Sequence, residues 1–301
     1  MTAVTIHWEA PAKVNLRLVV LAREASGFHQ LETIFCAIDL ADTITAQRAE
    51  RGIELEVVGA RLGEPQENLV WRAASAFFRA SGIAGGARLR LDKRIPVGAG
   101  LGGGSSDAAS TLHALNALYG RPLGPRSILE LAAELGSDVP FFAAGRPFAL
   151  AWGRGGRLLP FPALPPAPTV VGVPDFSIAT VYAYGELARA RYAQPATVPP
   201  TVLDLDALAS WQGLAALAVN DFEDVIFQKY PILVRAVRAL ADAGALISRL
   251  SGSGSAVFGI FPDEPTRDEA VARLRTELPR LRWVPCATVP EPVARAGNSL
   301  I

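Results

Sequence analysis

Between Gly98 and Ser106 the chain packs five glycines and two serines into nine residues, GAGLGGGSS. Glycine inside a helix or strand costs about 0.5–1 kcal/mol relative to alanine, so the glycine run to Gly104 reads as a loop with bare backbone. Its flanks restrict it further. Upstream, ARLRLDKRI alternates Leu89 and Leu91 with Arg88, Arg90 and Asp92, the period of a strand. Downstream, SSDAASTLHALNALYG repeats Leu112, Leu115 and Leu118 at helical intervals before Gly120 closes the run. The unit is strand, glycine loop, helix. A helix N-terminus carries unpaired N–H groups and the positive end of the macrodipole, and residues without Cβ let an anion approach the backbone. The stretch therefore reads as a phosphate cradle.

Two common cradles are excluded. A Walker A loop needs a lysine after its last glycine, whereas Gly104 is followed by Ser105 and Ser106. Gly98 to Gly103 matches GxGxxG, but the strand before it alternates with charged residues, and no acidic residue follows at a strand end about 20 positions on, as a dinucleotide site would require. A plain turn would not need so many adjacent glycines.

The rest of the chain sets the context. At 301 residues, half of them hydrophobic, it has material for about two domains. Lys+Arg and Asp+Glu balance at 29 each and no basic run stands out, which argues against nucleic acid as a partner. MTAVTIHWEA lacks the regions of a signal peptide, and no apolar run approaches the roughly 18 residues of a membrane span, so a cytoplasmic protein without a membrane partner is expected. Cys36 and Cys286, far apart among apolar neighbours, read as small buried thiols, and the three histidines form no zinc motif.

PFPALPPAP at 160–168 suits an extended connector, because proline removes backbone donors and fixes φ. We place a boundary there, giving domains 1–159 and 160–301. A second proline-rich stretch at 194–201 reads as a loop within the second domain. KVNLRLVVLA alternates Val14, Leu16, Leu18 and Val20 with Lys13, Asn15 and Arg17, a half-buried strand with Lys13 and Asn15 on one face. Residues 68–80 read as a helix stopped by Gly82, and 231–243 as another stopped by Gly244. Thr266 to Glu269 resembles a capping box opening a third, and ALISRLSGSGSAVFGIF reads as two strands joined by a Gly/Ser turn. The expected class is α+β with largely antiparallel sheets. The terminal ARAGNSLI is expected to fray.

Pro96 to Ala108, P-x-G-x-G-L-G-G-G-S-S-D-A, resembles the phosphate loop of the GHMP kinase superfamily, in the extended form of the branch acting on a cytidine-diphosphate-linked methylerythritol. Five further blocks agree in order: Ala10 to Leu16, Gly27 to Thr33, Leu135 to Phe142, Asn220 to Glu223 and Ser251 to Ser255. The resemblance implies two domains, an N-terminal ribosomal-protein-S5-like one and a C-terminal ferredoxin-like α+β one, with the active site in the cleft between them. It implies ATP-dependent phosphorylation of the 2-hydroxyl of that cytidylyl substrate, giving ADP, in the non-mevalonate route to isoprenoids. The protein would act as a monomer or weak homodimer.

The resemblance also distributes roles. Asp138 is the base that takes the hydroxyl proton, although by position alone an aspartate there caps a helix. Lys13, which by itself would be a solvated strand lysine, stands beside it, where its charge would hold the carboxylate and attract phosphate. Asn15 faces substrate, His29 bonds the cytosine edge, and Phe28 stacks on the base where tyrosine is usual. Tyr182 matches the aromatic on the other side of the base, and Asp138 also touches substrate. Ile178 then stands where a substrate-facing threonine is common, with Thr180 two residues on. Pro96, Val97, Gly98, Ala99, Gly100, Leu101, Gly102, Gly103, Gly104, Ser105 and Ser106 would hold ATP. Asn68 would lie near the adenosine, its ordinary role being a helix cap. Ser106 would face Mg2+, and Asp107 would point away from ATP or towards the metal. The turn from Ser251 to Ser255 would pack against the phosphate loop, while Asp221 and Glu223 read as structural. Another small-alcohol kinase of the superfamily, of homoserine or mevalonate type, and a silent nucleotide-binding homologue are the alternatives.

Overall fold

The computed structural model describes residues 4–23, 29–193, 203–290 and 296–297. Phe28 and the stretch 194–201 lie outside them. The chain begins with a long hairpin, β1 (Thr5–Arg23) and β2 (His29–Ala49), paired from Thr5 opposite Gln47 to Arg23 opposite His29. There follow β3 (Gly52–Val58), α1 (Leu69–Ser81), β4 (Gly86–Asp92), α2 (Gly103–Leu118), α3 (Pro125–Leu135), α4 (Val139–Ala143), β5 (Phe148–Gly153) and β6 (Arg157–Pro160). Next come β7 (Pro168–Pro174), α5 (Thr180–Ala193), α6 (Leu205–Leu208), α7 (Trp211–Leu217), β8 (Val219–Asn220), α8 (Glu223–Lys229) and α9 (Pro231–Asp242). The last elements are β9 (Ile247–Leu250), β10 (Val257–Ile260), α10 (Glu264–Glu277), β11 (Leu281–Ala287) and β12 (Ala296–Gly297).

Local chemistry sets the helix ends. Asn68 Oδ1 accepts from Val70 N at 2.9 Å to open α1, and Gly82, at φ 66°, closes it. α3 and α9 start on prolines, whose missing N–H is no loss in a first turn. α10 starts three residues before the sequence reading: Asp263, not Thr266, is the cap, accepting from Thr266 N at 2.8 Å.

Two sheets result. The first runs β12-β1-β2-β4-β3, with β5 pairing β2, β6 pairing β5, and β8 pairing β1. The second runs β11-β7-β10-β9 and is antiparallel throughout, with helices crossing between its strands as in ferredoxin-like folds. Among the described residues, parallel pairing is confined to β3 with β4 and β1 with β8. The boundary expected between 159 and 160 falls at the last residue of β6, just before the connector to β7, and β8 and β12 return to the first sheet. β12 pairs with His7 and Trp8, so this part of the tail is tied down rather than frayed.

The hairpin is buried on both faces. Phe35 and Ala37 turn towards Phe77, Leu112 and Leu115 of α1 and α2, while Ile34, Cys36 and Ile38 turn towards Val171, Phe258 and Cys286 of the second sheet. That second contact makes one continuous core across both lobes. Lys13, Asn15 and Arg17 are accordingly 4%, 2% and 7% exposed, where the sequence pattern suggested a half-buried strand. Lys13 and Asn15 point into a cleft, while Arg17, beyond a register shift, pairs with Glu32 at 2.7 Å.

Candidate active site

The cleft holds a cavity of about 450 Å3 between the two lobes. Pro96 to Ser105 form one wall, and Lys13, Asn15, Asn68 and Asp138 line it as well.

The glycine loop is built from the outside. Its carbonyls are engaged away from the cavity: Leu101 O accepts from Lys13 N at 2.9 Å, Ala99 O from Ala256 N at 3.0 Å, and Gly100 O from Ser251 Oγ at 3.0 Å. Gly98, Gly100 and Gly102 take φ of 68°, 81° and 71°, the left-handed region where side chains are strained. Ser106 N returns to Gly102 O at 2.9 Å, opening α2. Gly103, Gly104 and Ser105 are left as first-turn N–H donors with no backbone acceptor among the described residues. The loop thus presents donors inward and hides acceptors.

Opposite stands an ion pair. Lys13 Nζ lies 3.5 Å from Asp138 Oδ2, and the lysine side chain is 5% exposed against 33% for the aspartate. Asp138 sits at the cap position of α4 yet makes no capping hydrogen bond, so the helix-cap reading fails and its carboxylate is free for the cleft. Lys13 Nζ also donates to Asn15 Oδ1 at 2.5 Å and lies 5.4 Å from the Phe35 ring centroid. Asn15 donates through Nδ2 to Thr33 Oγ1 at 2.8 Å. Asn68 does cap α1, and its side chain reaches the cavity as well.

The aromatic wall departs from the sequence reading. Tyr184 lines the cavity, whereas Tyr182 does not, and Tyr182 is 38% exposed on α5. The Tyr184 ring stacks on His29, centroids 4.5 Å apart and planes 20° apart, and meets Phe222 edge-on at 4.9 Å. Burial, with the Asp138 charge adding to it, pushes the Tyr184 hydroxyl up to about 12. Thr180 stands four residues before Tyr184, also in the cavity wall, with Oγ1 3.1 Å from Ser253 Oγ. The register is therefore Thr180 and Tyr184, and Ile178, 4% exposed, is core. The threonine is not missing. Identical spacing in Ile178–Tyr182 and Thr180–Tyr184 hid this, and only the helical phase set by buried Ala183 and Leu187 separates them.

Under the loop lies a charged cluster whose members are far apart in the chain and share no motif. Lys93 Nζ bridges Asp42 Oδ2 and Asp107 Oδ2, the latter at 2.8 Å. Asp42 Oδ1 accepts from Arg94 N at 2.5 Å and Ile95 N at 2.8 Å, fixing the entry to the loop. Burial pushes the Asp107 carboxyl up to about 8, with Asp42 adding to the effect and Lys93 opposing it. Lys93 itself is raised: burial works to lower it, and the Asp107 and Asp42 charges outweigh that. Ser106 Oγ and Asp107 Oδ1 are buried and lack a hydrogen-bond partner. Asp107 lines the cavity and Ser106 lies behind it, fully buried. Both unpartnered atoms are hard oxygen donors, of the kind that magnesium takes, on consecutive residues of α2.

The second glycine turn packs where expected. Ser251 bonds the first loop, and Asn220 Nδ2 holds it from behind, donating to Leu250 O and Gly252 O at 2.8 Å each. Glu223 accepts from Leu250 N, and Asp221 ties Val20 N and Arg191 together, so both acids of this block are structural.

Residues 68–146 match the GHMP kinases N terminal domain and 204–280 the GHMP kinases C terminal domain. A 4-diphosphocytidyl-2-C-methyl-D-erythritol kinase of Solibacter usitatus is 42% identical, covering 85% of this chain and 81% of that one. Its counterpart in Geobacter sp. strain M21 is 40% identical, covering 88% and 92%. A crystal structure of 4-(cytidine 5'-diphospho)-2C-methyl-D-erythritol kinase superposes with a TM-score of 0.79 at 37% identity, covering 94% and 98%. A homoserine kinase from Cytophaga hutchinsonii shares the fold, with a TM-score of 0.70 at 17% identity.

Proposed function

Since this chain belongs to the 4-diphosphocytidyl-2-C-methyl-D-erythritol kinases within the GHMP kinase family, we propose that it moves the γ-phosphoryl group of ATP to the 2-hydroxyl of that cytidylyl alcohol. The observation that carries the reading is the Lys13–Asp138 pair facing, across one cavity, the open N–H groups of Gly103, Gly104 and Ser105. A triphosphate laid on those donors places its end towards the pair. The acceptor oxygen attacks the γ-phosphorus, the bond to the β-phosphate oxygen breaks to leave ADP, and the hydroxyl proton passes to Asp138. Lys13 neutralises charge at the same point.

Magnesium, when bound with ATP, neutralises phosphate charge; Ser106 and Asp107 are the residues that would hold it. The kinship with metabolic kinases supports a cytoplasmic enzyme, which we read as a monomer or weak homodimer. Among the described residues no helix is long and apolar enough to cross a membrane.

The nucleobase reading rests on Tyr184 and His29, with Phe28 as the second stacking partner. Tyr184→Ala is expected to raise KM for the cytidylyl substrate about tenfold or more and leave KM for ATP within about twofold, as suits one lost aromatic face. Tyr182→Ala should change neither. Steady-state kinetics of both variants check this; equal effects would reject the register. The function is tested by ADP release from purified protein offered the cytidylyl alcohol, homoserine, mevalonate or galactose. Stimulation by the first alone is expected, and none by the first would overturn the assignment.

A further inference from the structure

The Gly27 to Thr33 block ends in a residue whose role the site has not yet absorbed. Thr33 is 1% exposed, and its hydroxyl donates to Arg17 O at 2.6 Å while accepting from Asn15 Nδ2 at 2.8 Å. A carbonyl can only accept, so the single Thr33 proton is committed to Arg17 and its lone pairs must face Asn15. That choice orients the amide. Nδ2 goes to Thr33, Oδ1 is turned towards Lys13, and the Lys13 ammonium takes it at 2.5 Å. A register shift in β1 between Asn15 and Arg17 lies at the same point, where the pairing partner moves from Phe35 to Ile34.

We propose that Thr33 is a positioning residue for phosphoryl transfer, acting through the Asn15 amide to hold the Lys13 ammonium beside Asp138. Without the hydroxyl, the buried Asn15 N–H loses its acceptor, and the Lys13 ammonium alone holds the amide. The Asn15 side chain then turns to find another acceptor, and its Oδ1 moves away from the ammonium. Lys13 would then leave its place 3.5 Å from Asp138 Oδ2. Small displacements of a charged group at the reacting centre are expensive in rate, whereas the nucleotide loop, held by its own backbone bonds, is untouched. Asn15 thus serves Lys13 as well as lining the cavity.

The inference rests on the kinase reading above, and its test separates the two. Turnover and both KM values are measured for Thr33→Val, Thr33→Ala and Thr33→Ser, each in the wild-type and the Asn15→Ala background, with Lys13→Ala as reference. Thr33→Val and Thr33→Ala are expected to lower kcat between about 10- and 100-fold with KM for ATP within about twofold. Thr33→Ser, which keeps the hydroxyl, recovers most of that loss. In the Asn15→Ala background Thr33→Val adds less than about a twofold loss, because the route to Lys13 is already cut. Should Thr33→Val fail to fold, the same two comparisons are made with Thr33→Ala, which introduces no new apolar group. Wild-type turnover in the folded variants, a full multiplicative loss in the Asn15→Ala background, or a Thr33→Ser as slow as Thr33→Val each overturns the proposal. Wild-type turnover of Lys13→Ala would instead overturn the role of Lys13 itself.

Discussion

Asp138→Asn is expected to bind ATP within about threefold of the wild-type chain and to turn over about 10²–10⁴-fold more slowly, the usual contribution of a positioned general base. The substitution keeps the shape and removes the charge and the proton acceptor. The fold is expected to hold, because the side chain makes no capping hydrogen bond at α4 and Lys13, its ion-pair partner, keeps its bond to Asn15 Oδ1. ATP should not notice the change, since its cradle is backbone. A fluorescent-nucleotide titration measures the first half of the expectation and single-turnover phosphoryl transfer the second. Retention of more than about a tenth of the wild-type rate would show that Asp138 does not take the proton, and a parallel loss of ATP affinity would show that it serves the nucleotide instead.

The fold was largely legible because its constraints are local. Alternation in 87–95, the apolar spacing of 69–77, and glycines after helices each act over a few residues, and the structure follows them at β4, α1 and α9. The reading stayed open where a distant partner decides. Strand alternation in 13–17 reports a change of environment, not its nature, and leaves a wet side and a site-facing side both possible; Lys13 and Asn15 line the cleft, while Arg17 pairs with Glu32. Lys13 and Asp138 came together as the motif resemblance implied, at 3.5 Å, across more than a hundred residues of chain.

Other members of the site had no such handle. Asp42 lies in a strand whose spacing says nothing of Lys93, 51 residues away, so their pairing with Asp107 depends wholly on how β2, β4 and α2 converge. Tyr184 differed from Tyr182 only in helical phase, which is fixed by packing of α5 against α8 and the second sheet. Thr33 was visible as the end of a motif, but its use depends on three hydrogen bonds between side chains and backbone of two strands. Sequence spacing identifies groups; burial decides what they can bond.

The glycines can be separated by experiment, because they are required for different reasons. At Gly100, φ is 81°, and a Cβ would overlap the Ser251 carbonyl oxygen and come within 3.0 Å of the Gly254 oxygen, both backbone atoms that cannot swing aside. Gly100→Ala therefore forces the two glycine turns apart. Left-handed strain and overlap together are expected to cost roughly 2–5 kcal/mol, a fall of about 5–15 °C in thermal midpoint, with ATP affinity lost by 100-fold or more (about 3 kcal/mol). Gly104 is different. A Cβ there meets only Leu69 Cδ1, at an ordinary 3.5 Å, so the fold tolerates it. What it obstructs is the space over the first turn of α2, where a phosphate oxygen would approach the N–H groups. Gly104→Ala is thus expected to keep its thermal midpoint and weaken ATP binding about tenfold or more, a separation of stability from affinity that calorimetry and nucleotide titration on the same preparations would resolve. Unchanged ATP affinity in Gly104→Ala would place the phosphates somewhere other than the N-terminus of α2, and with them the line of transfer towards Asp138.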